Sequence, residues 1–172
     1  LIIRAKNQGF RKIYISVNYL ASMIKDYFQT GEKLGVQIKY IEEDEPLGTA
    51  GSIALLEPKP KKCFLVTNGD LITSINYKDL INYHRQNNAI ASMSVRAYET
   101  ENPFGIVKTD GINIIGFEEK PISKQNINAG VYVFEPEIIN FLDKHKKCDI
   151  PELFENLKEA NKQIIAYLIH EN

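Results

Sequence analysis

Residues 13–40 read IYISVNYLASMIKDYFQTGEKLGVQIKY, and the order of patterns within them decides the fold. Ile13-Tyr14-Ile15-Ser16-Val17 is a short apolar, β-branched run after Gly9, which reads as a buried strand. Ala21 to Phe28 reads as a helix: Met23 and Tyr27, with Ile24 and Phe28, form i, i+4 pairs on one side, and Gly31 follows as a stop. Val36, Ile38 and Tyr40 then alternate with Gln37 and Lys39, as in a half-buried strand. Strand, helix, strand in this order predicts an α/β fold with parallel pairing.

Working outward, Leu1 to Gln8 reads as the last turns of a helix stopped by Gly9. Glu45-Pro46-Leu47-Gly48-Thr49-Ala50-Gly51-Ser52 is a turn leading into the apolar Ile53 to Leu56. Cys63-Phe64-Leu65-Val66-Thr67 is a continuous apolar run, expected for a strand covered on both faces. Tyr77 to Asn87 reads as a helix with Leu80, Ile81 and His84 on one side, and Ile90 to Tyr98 as a strand. Gly105 to Lys108, a turn at Asp110-Gly111 and Ile112 to Phe117 make a hairpin, so the sheet becomes mixed. Asn128 to Phe134 reads as a strand, Glu135-Pro136 as a helix start, Pro151 to about Asn161 as a helix, and Ile164 to Ile169 as a last strand. No repeat or linker divides residues 1–172, which are expected to form one domain.

The chain has 172 residues, 21 Lys+Arg against 22 Asp+Glu, 44% hydrophobic and 25% charged residues. A net charge of -1 argues against a nucleic-acid binder. No apolar run approaches the roughly 20 residues of a membrane span, and the start carries no signal-peptide pattern. With two cysteines, Cys63 and Cys148, and no CxxC, reduced thiols in a cytoplasmic protein are expected.

Ligands of open α/β sheets bind beyond the carboxyl ends of the strands, so the corners matter most. The apolar strand ending at Asn68-Gly69-Asp70 puts a carboxylate at the sheet rim. There it would suit Mg²⁺, which takes one or two carboxylates plus phosphate oxygens, or it would serve simply as a turn. Leu47-Gly48-Thr49-Ala50-Gly51 offers close backbone approach and free helix-start N–H groups, or is a plain Gly-rich helix entry. Phe117-Glu118-Glu119-Lys120-Pro121 sets a carboxylate for hydroxyls beside an ammonium for phosphate, or is an exposed charged turn. Asn128, with Gly130 beside it, offers a donor and an acceptor at the start of an apolar strand, or belongs to the preceding turn. His84, His145 and His170 lack metal-ligand spacing and read as surface or boundary residues. No Ser motif resembles a nucleophile elbow.

Taken in order, six segments resemble the sugar-1-phosphate nucleotidylyltransferases, or nucleotide-sugar pyrophosphorylases. They are Gly9-Phe10-Arg11-Lys12-Ile13, Leu47 to Gly51, Asn68-Gly69-Asp70, Phe104-Gly105-Ile106-Val107, Phe117 to Pro121 and Asn128-Ala129-Gly130-Val131-Tyr132. The Leu-Gly-Thr-Ala-Gly form is most similar to the mannose-1-phosphate or heptose-1-phosphate guanylyltransferase branch, and also occurs near the glucose-1-phosphate thymidylyltransferases. The resemblance implies a Rossmann-like nucleotide-diphospho-sugar transferase fold of GT-A type, a three-layer α/β sandwich with a mixed central sheet. It implies that an NTP, GTP or dTTP, reacts with a sugar 1-phosphate to give NDP-sugar and pyrophosphate, as in polysaccharide biosynthesis. Asp70 would hold Mg²⁺; Leu47, Gly48 and Thr49 would lie against the base; Gly105, Glu119 and Asn128 would hold the sugar; Lys120 would act catalytically on the sugar phosphate.

The family also has a first strand followed by a Gly-Gly-x-Gly-Thr-Arg-Leu loop with a Pro-Lys-Pro soon after it, and a late Trp-x-Asp segment; the chain has no such loop and no Trp, and its one Pro-Lys-Pro, Pro58-Lys59-Pro60, lies in a later loop beyond Leu47–Gly51. The resemblance therefore implies that the triphosphate loop lies before Leu1 and a second metal ligand beyond Asn172. Without the loop's cations, phosphoryl transfer loses on the order of 10³-fold or more in rate, so the chain alone is expected to be inactive. The absent first strand should leave the strands at Ile13–Val17 and Cys63–Thr67 with open edges, a route to strand exchange or homo-oligomers. The alternative is a non-catalytic regulatory or scaffolding relative that binds nucleotide sugar. A glycosyltransferase of the same general fold would present Asp-x-Asp at the strand end, where this chain has Asn68-Gly69-Asp70.

Overall fold

The computed structural model describes residues 1–71 and 73–169. His170, one of the histidines weighed above, lies outside the described residues. The element order is α1 (Ile2–Asn7), β1 (Lys12–Val17), α2 (Ala21–Phe28), β2 (Gln37–Glu42), α3 (Gly48–Gly51), β3 (Phe64–Thr67), α4 (Tyr77–Gln86), β4 (Ala91–Glu101), β5 (Ile106–Asp110), β6 (Asn113–Glu118), β7 (Ile122–Phe134), α5 (Ile150–Glu159) and β8 (Ile164–Ile169). Short 3-10 turns cover Glu32–Leu34, Ser52–Leu55 and Pro136–Phe141, the last where a helix was expected. No helix among the described residues is long and apolar enough to cross a membrane.

The strands form a parallel pair β1–β2, a mixed sheet ordered β3-β7-β4-β8, and an antiparallel ribbon β5–β6. Among the described residues β1 pairs only with β2 and β3 only with β7, so each has one side without a strand partner. The mixed sheet is covered on both faces, and β7 displays why. Its alternation sends Tyr132 and Phe134 into one cluster with Ile138, Leu153 and Leu157, and Val131 and Val133 into another with Tyr77, Leu80 and Ile169. The first cluster lies under α3 and α5, the second under α4, giving helix, sheet and helix layers. Leu153 and Leu157, one turn apart, are fully buried, so truncating either to Ala should cost about 2–5 kcal/mol.

Local chemistry sets the helix ends. Asn76 caps α4 through Oδ1, which accepts from the Lys78 and Asp79 N–H groups. α1 is tied to the same end: Gln8 Oε1 accepts from Tyr77 N–H at 2.6 Å, and Arg4 donates to the Ile75 carbonyl at 2.6 Å.

Several expectations change. Met23 and Tyr27 are 63% and 81% exposed, so only Ile24 and Phe28 form the inward side of α2. β3 packs on both faces, Phe64 and Val66 against one cluster and Leu65, with the preceding Cys63, against the other, but is only half-buried along its length. His84, expected at a surface or boundary, is wholly buried. It follows Leu80 by four residues on the inward face of α4, and Ser92 Oγ lies 2.7 Å from its Nδ1. β7 begins six residues before Asn128, because Ala97–Glu101 of β4 pair with Ile122–Asn126 outside the core. Both cysteines are unpaired thiols; burial, then the nearby Glu152 and Asp149, pushes the Cys148 thiol up.

Candidate functional site

The site divides into three pieces. The first lies where β3 ends. Thr67 pairs with Val131, and the next residue, Asn68, donates its N–H to the Gly130 carbonyl at 3.1 Å. This sets the Asn68-Gly69-Asp70 turn beside Asn128–Gly130. Gly130 has φ +71, and a Cβ there would come within 2.7 Å of Leu71 Cδ1 and 3.1 Å of Asn68 Nδ2. Only glycine allows this approach without strain. Across from it, the ladder passes from Met93↔Tyr132 to Val95↔Asn128, so Ser94 alone faces residues 129–131. Ser94 Oγ fills this bulge by donating to the Val131 carbonyl (2.7 Å) and accepting from the Val131 N–H (3.2 Å). Bulges re-aim side chains, and this one turns the Asn128 side of β7 toward solvent.

Asn128 is held before any ligand arrives. Its Oδ1 accepts from the Gly130 N–H at 2.9 Å, and its Nδ2 donates to the Tyr132 hydroxyl at 2.7 Å. One amide hydrogen and one lone pair stay uncommitted. Burial raises the Tyr132 hydroxyl pKa, which keeps the phenol protonated, against a smaller lowering by the Asn128 bond. Asp70 is exposed, makes no ion pair among the described residues, and follows Gly69, around which space is open.

The second piece lies at the base of the β5–β6 ribbon, where Ile106 pairs with Glu118. A Cβ on Gly105 would sit 3.0 Å from Glu119 Oε2, so the two expected sugar residues are neighbours. Lys120 follows with φ +43, exposed, and the Pro121 carbonyl accepts from the Asn102 N–H at 3.1 Å. From Ile122 to Asn128 runs extended strand, about 20 Å at the usual rise. Gly105, Glu119 and Lys120 are therefore together, Asp70's turn and Asn128 are together, and the two groups stand apart along β7.

The third piece is Leu47–Gly51, and here an expectation is overturned. The N–H groups are not free. Leu47 N–H donates to Glu43 Oε2 (2.8 Å), Thr49 N–H to Asp149 Oδ1 (3.0 Å), and the Ala50 and Gly51 N–H groups both to the Cys148 carbonyl (3.0 and 3.1 Å). The Cys148 N–H returns a bond to the Leu47 carbonyl at 2.9 Å. Thr49 Oγ1 accepts from the Ile150 N–H at 2.9 Å, the first turn of α5. Gly48, at φ +79, is pressed against this segment: a Cβ would lie 2.6 Å from the Cys148 carbonyl oxygen and 2.7 Å from Asp149 Oδ1. The corner is no anion cradle; Gly48 alone keeps an N–H without an acceptor among the described residues.

Asp149 was missed by the motif reading, although Asp149-Ile150-Pro151 is a helix-start signature. Among the described residues no three His, Cys, Asp or Glu side chains converge as metal ligands. A cleft of about 260 Å³ lies between Tyr14, Ile41, Leu55 and Glu57, and holds none of the expected site residues.

Comparison with known proteins follows the same lines. Residues 1–170 match the nucleotidyl transferase family. Over 94% of its length the chain is 30% identical to a UTP–glucose-1-phosphate uridylyltransferase of Synechocystis sp., of which it covers 47%. Over 85% of its length it is 34% identical to a mannose-1-phosphate guanylyltransferase catalytic subunit beta of Dictyostelium discoideum, of which it covers 43%. The chain thus spans less than half the length of these two curated relatives. HddC from Yersinia pseudotuberculosis superposes with TM-score 0.68 at 26% identity, over 98% of this chain and 74% of that one. A putative glucose-1-phosphate thymidylyltransferase from Bacillus anthracis, solved with sucrose, superposes with TM-score 0.72 at 18% identity over 98% and 72% of the two chains, a likeness of the Rossmann-like fold alone. A match along nearly the whole chain, on a mixed sheet layered with helices, places this chain in the nucleotidyl transferase family.

Proposed function

We propose that the chain forms the body of a sugar-1-phosphate nucleotidylyltransferase. The observation that carries this reading is the Asn68-to-Gly130 tie, which sets an exposed carboxylate, without an ion-pair partner among the described residues, beside a pre-oriented Asn128 at a strand end. In the reaction the phosphate oxygen of the sugar 1-phosphate attacks the α-phosphorus of the NTP in line. The new P–O bond forms as the bond to pyrophosphate breaks, and pyrophosphate leaves. Such chemistry asks the protein for position and charge neutralisation.

A single exposed carboxylate fits Mg²⁺, which completes its shell with water and phosphate oxygens. Asp70 would hold it, and the ion would neutralise charge at the α-phosphate. Asn128 offers its uncommitted donor and acceptor to sugar hydroxyls, Glu119 accepts from others beside Gly105, and Lys120 is the catalytic cation at the sugar phosphate. Leu47, Gly48 and Thr49 would lie against the base, with the Gly48 N–H facing it, since the Leu47 and Thr49 N–H groups and the Thr49 hydroxyl are engaged. The motif form favours GTP or dTTP.

The chain contains no Gly-Gly-x-Gly-Thr-Arg-Leu, and alone it is expected to bind substrates without turning them over. The test is a screen of the four NTPs against sugar 1-phosphates with Mg²⁺, following binding and pyrophosphate. Binding of one NTP and one sugar 1-phosphate, weakened in Asp70→Asn, supports the reading; binding of neither sinks it. Pyrophosphate release by this chain, abolished in Asp70→Asn, would overturn its proposed inactivity. A second reading is a non-catalytic subunit that binds nucleotide sugar, which holds if the native protein has no triphosphate loop. NDP-sugar binding without turnover by the complete polypeptide would support that one.

A further inference from the structure

We infer that Asp149 is a positioning residue that sets the nucleotide-facing corner, acting through Thr49 and Gly48 from a segment 100 residues away. The inference rests on the proposed reading of Leu47–Thr49 as the base-facing corner.

Three observations carry it. The first is the direction of the Asp149 side chain. Asp149 occupies the N-cap position of α5, where a carboxylate ordinarily accepts from its own helix, yet it makes no such bond. Its Oδ1 instead accepts from Thr49 N–H at 3.0 Å and lies 3.4 Å from Thr49 Oγ1. The second is the reciprocal bond. α5 receives its acceptor from Thr49 Oγ1, which takes the Ile150 N–H at 2.9 Å. Each residue supplies what the other's helix start lacks, so neither can turn away without leaving an N–H unpaired. The third is the absence of slack. Gly48 is held at φ +79 with Asp149 Oδ1 and the Cys148 carbonyl oxygen where a Cβ would stand.

The consequence for a ligand is specific. The backbone of the corner offers a base one N–H, that of Gly48, which lies in the Leu47–Gly48 peptide held by the Cys148 N–H on the Leu47 carbonyl. The next peptide, Gly48–Thr49, which carries the Thr49 N–H, is held by Asp149. Without the carboxylate the corner keeps its contacts to Cys148, and with them the direction of the Gly48 N–H, but loses the bond that holds the Gly48–Thr49 peptide, so that peptide can turn about Gly48 and the face that Gly48 and Thr49 present to a base is no longer fixed.

The test uses the whole chain and measures binding of GTP, dTTP and sugar 1-phosphates by calorimetry. Asp149→Ala is expected to weaken the bound NTP about tenfold, the scale of one lost hydrogen bond to a charged group, and to leave sugar 1-phosphate affinity within about twofold. Asp149→Asn retains Oδ1 as an acceptor and should bind NTP as tightly as wild type or more so, since a negative charge near a triphosphate is removed. Asp149→Glu keeps the charge and moves the oxygen by one methylene; it should lose affinity like Asp149→Ala, which also covers the case in which Asp149→Ala fails to fold. A purely structural role would lower both affinities together and would not be rescued by Asn. That result, or equal NTP affinity in wild type and both Asp149→Ala and Asp149→Glu, overturns the inference while leaving the site reading intact. A wild-type chain that binds none of the NTPs overturns the site reading itself, and the inference with it.

Discussion

Thr49 and Asp149, 100 residues apart, cap each other's helices: Asp149 Oδ1 takes the Thr49 N–H and Thr49 Oγ1 takes the Ile150 N–H. The exchange joins α3 to α5 with bonds of 3.0 and 2.9 Å and closes one side of the Leu47–Gly51 corner. Whatever the corner binds, its shape is a long-range property.

Gly48→Ala should be among the costlier small substitutions in the chain. The left-handed backbone and the overlap with the Cys148 carbonyl oxygen together cost about 2–4 kcal/mol. Urea unfolding followed by circular dichroism should show a lower midpoint with an unchanged slope.

Gly105→Ala is the contrasting case. The added methyl meets only the mobile end of Glu119, on an exposed ribbon, so stability should change by less than about 0.5 kcal/mol. Sugar 1-phosphate affinity should fall severalfold, because Glu119 must move. Calorimetry beside a thermal melt separates the two effects.

Stability should fall in mild acid through His84. Burial lowers its pKa; Glu135, whose Oε1 lies 3.4 Å from Nε2, opposes that more weakly, and Arg85 adds to it. The folded state then binds fewer protons than the unfolded chain, whose histidine titrates near the ordinary value of about 6.5. The contribution is complete above that value and is lost as pH drops through the lowered folded value. Urea midpoints between pH 8 and 5 should decline more steeply for the native chain than for His84→Gln.

Asp70→Asn should leave the melting temperature unchanged, since the carboxylate is exposed and unpaired among the described residues. It should remove the Mg²⁺-dependent part of NTP binding. A titration with and without Mg²⁺ reads both.

The sequence carried the alternation of β1, α2 and β2 because each element there buries one face, and burial leaves a period. It carried the β5–β6 ribbon through its Asp110-Gly111 turn. It hid the first half of β7, Ile122-Ser123-Lys124-Gln125-Asn126, because those residues pair by backbone and the exposed Lys124–Glu99 ion pair and bury no face. It hid the burial of His84 because polar type outweighed the four-residue spacing from Leu80. Asp70, Asn128, Gly105 and Glu119 were visible as residues at corners. That the N–H groups of Leu47–Gly51 are already spent was invisible, since the acceptors at Cys148 and Asp149 are brought in only by the tertiary fold.

The ribbon divides the molecule into two clocks. Tyr132, Val133 and Phe134 are enclosed by both clusters, so their amides should exchange with solvent only when the whole domain opens. The same strand at Ile122–Asn126 has no core beneath it and should open locally and often. Gly105 and Glu119, proposed to hold the sugar, and Lys120, proposed to act at its phosphate, ride on the fast part, while Asp70 and the third sugar residue, Asn128, stand at the edge of the slow one. Capture of a sugar phosphate would then register first as a slowing of ribbon exchange, with the core's own rate untouched.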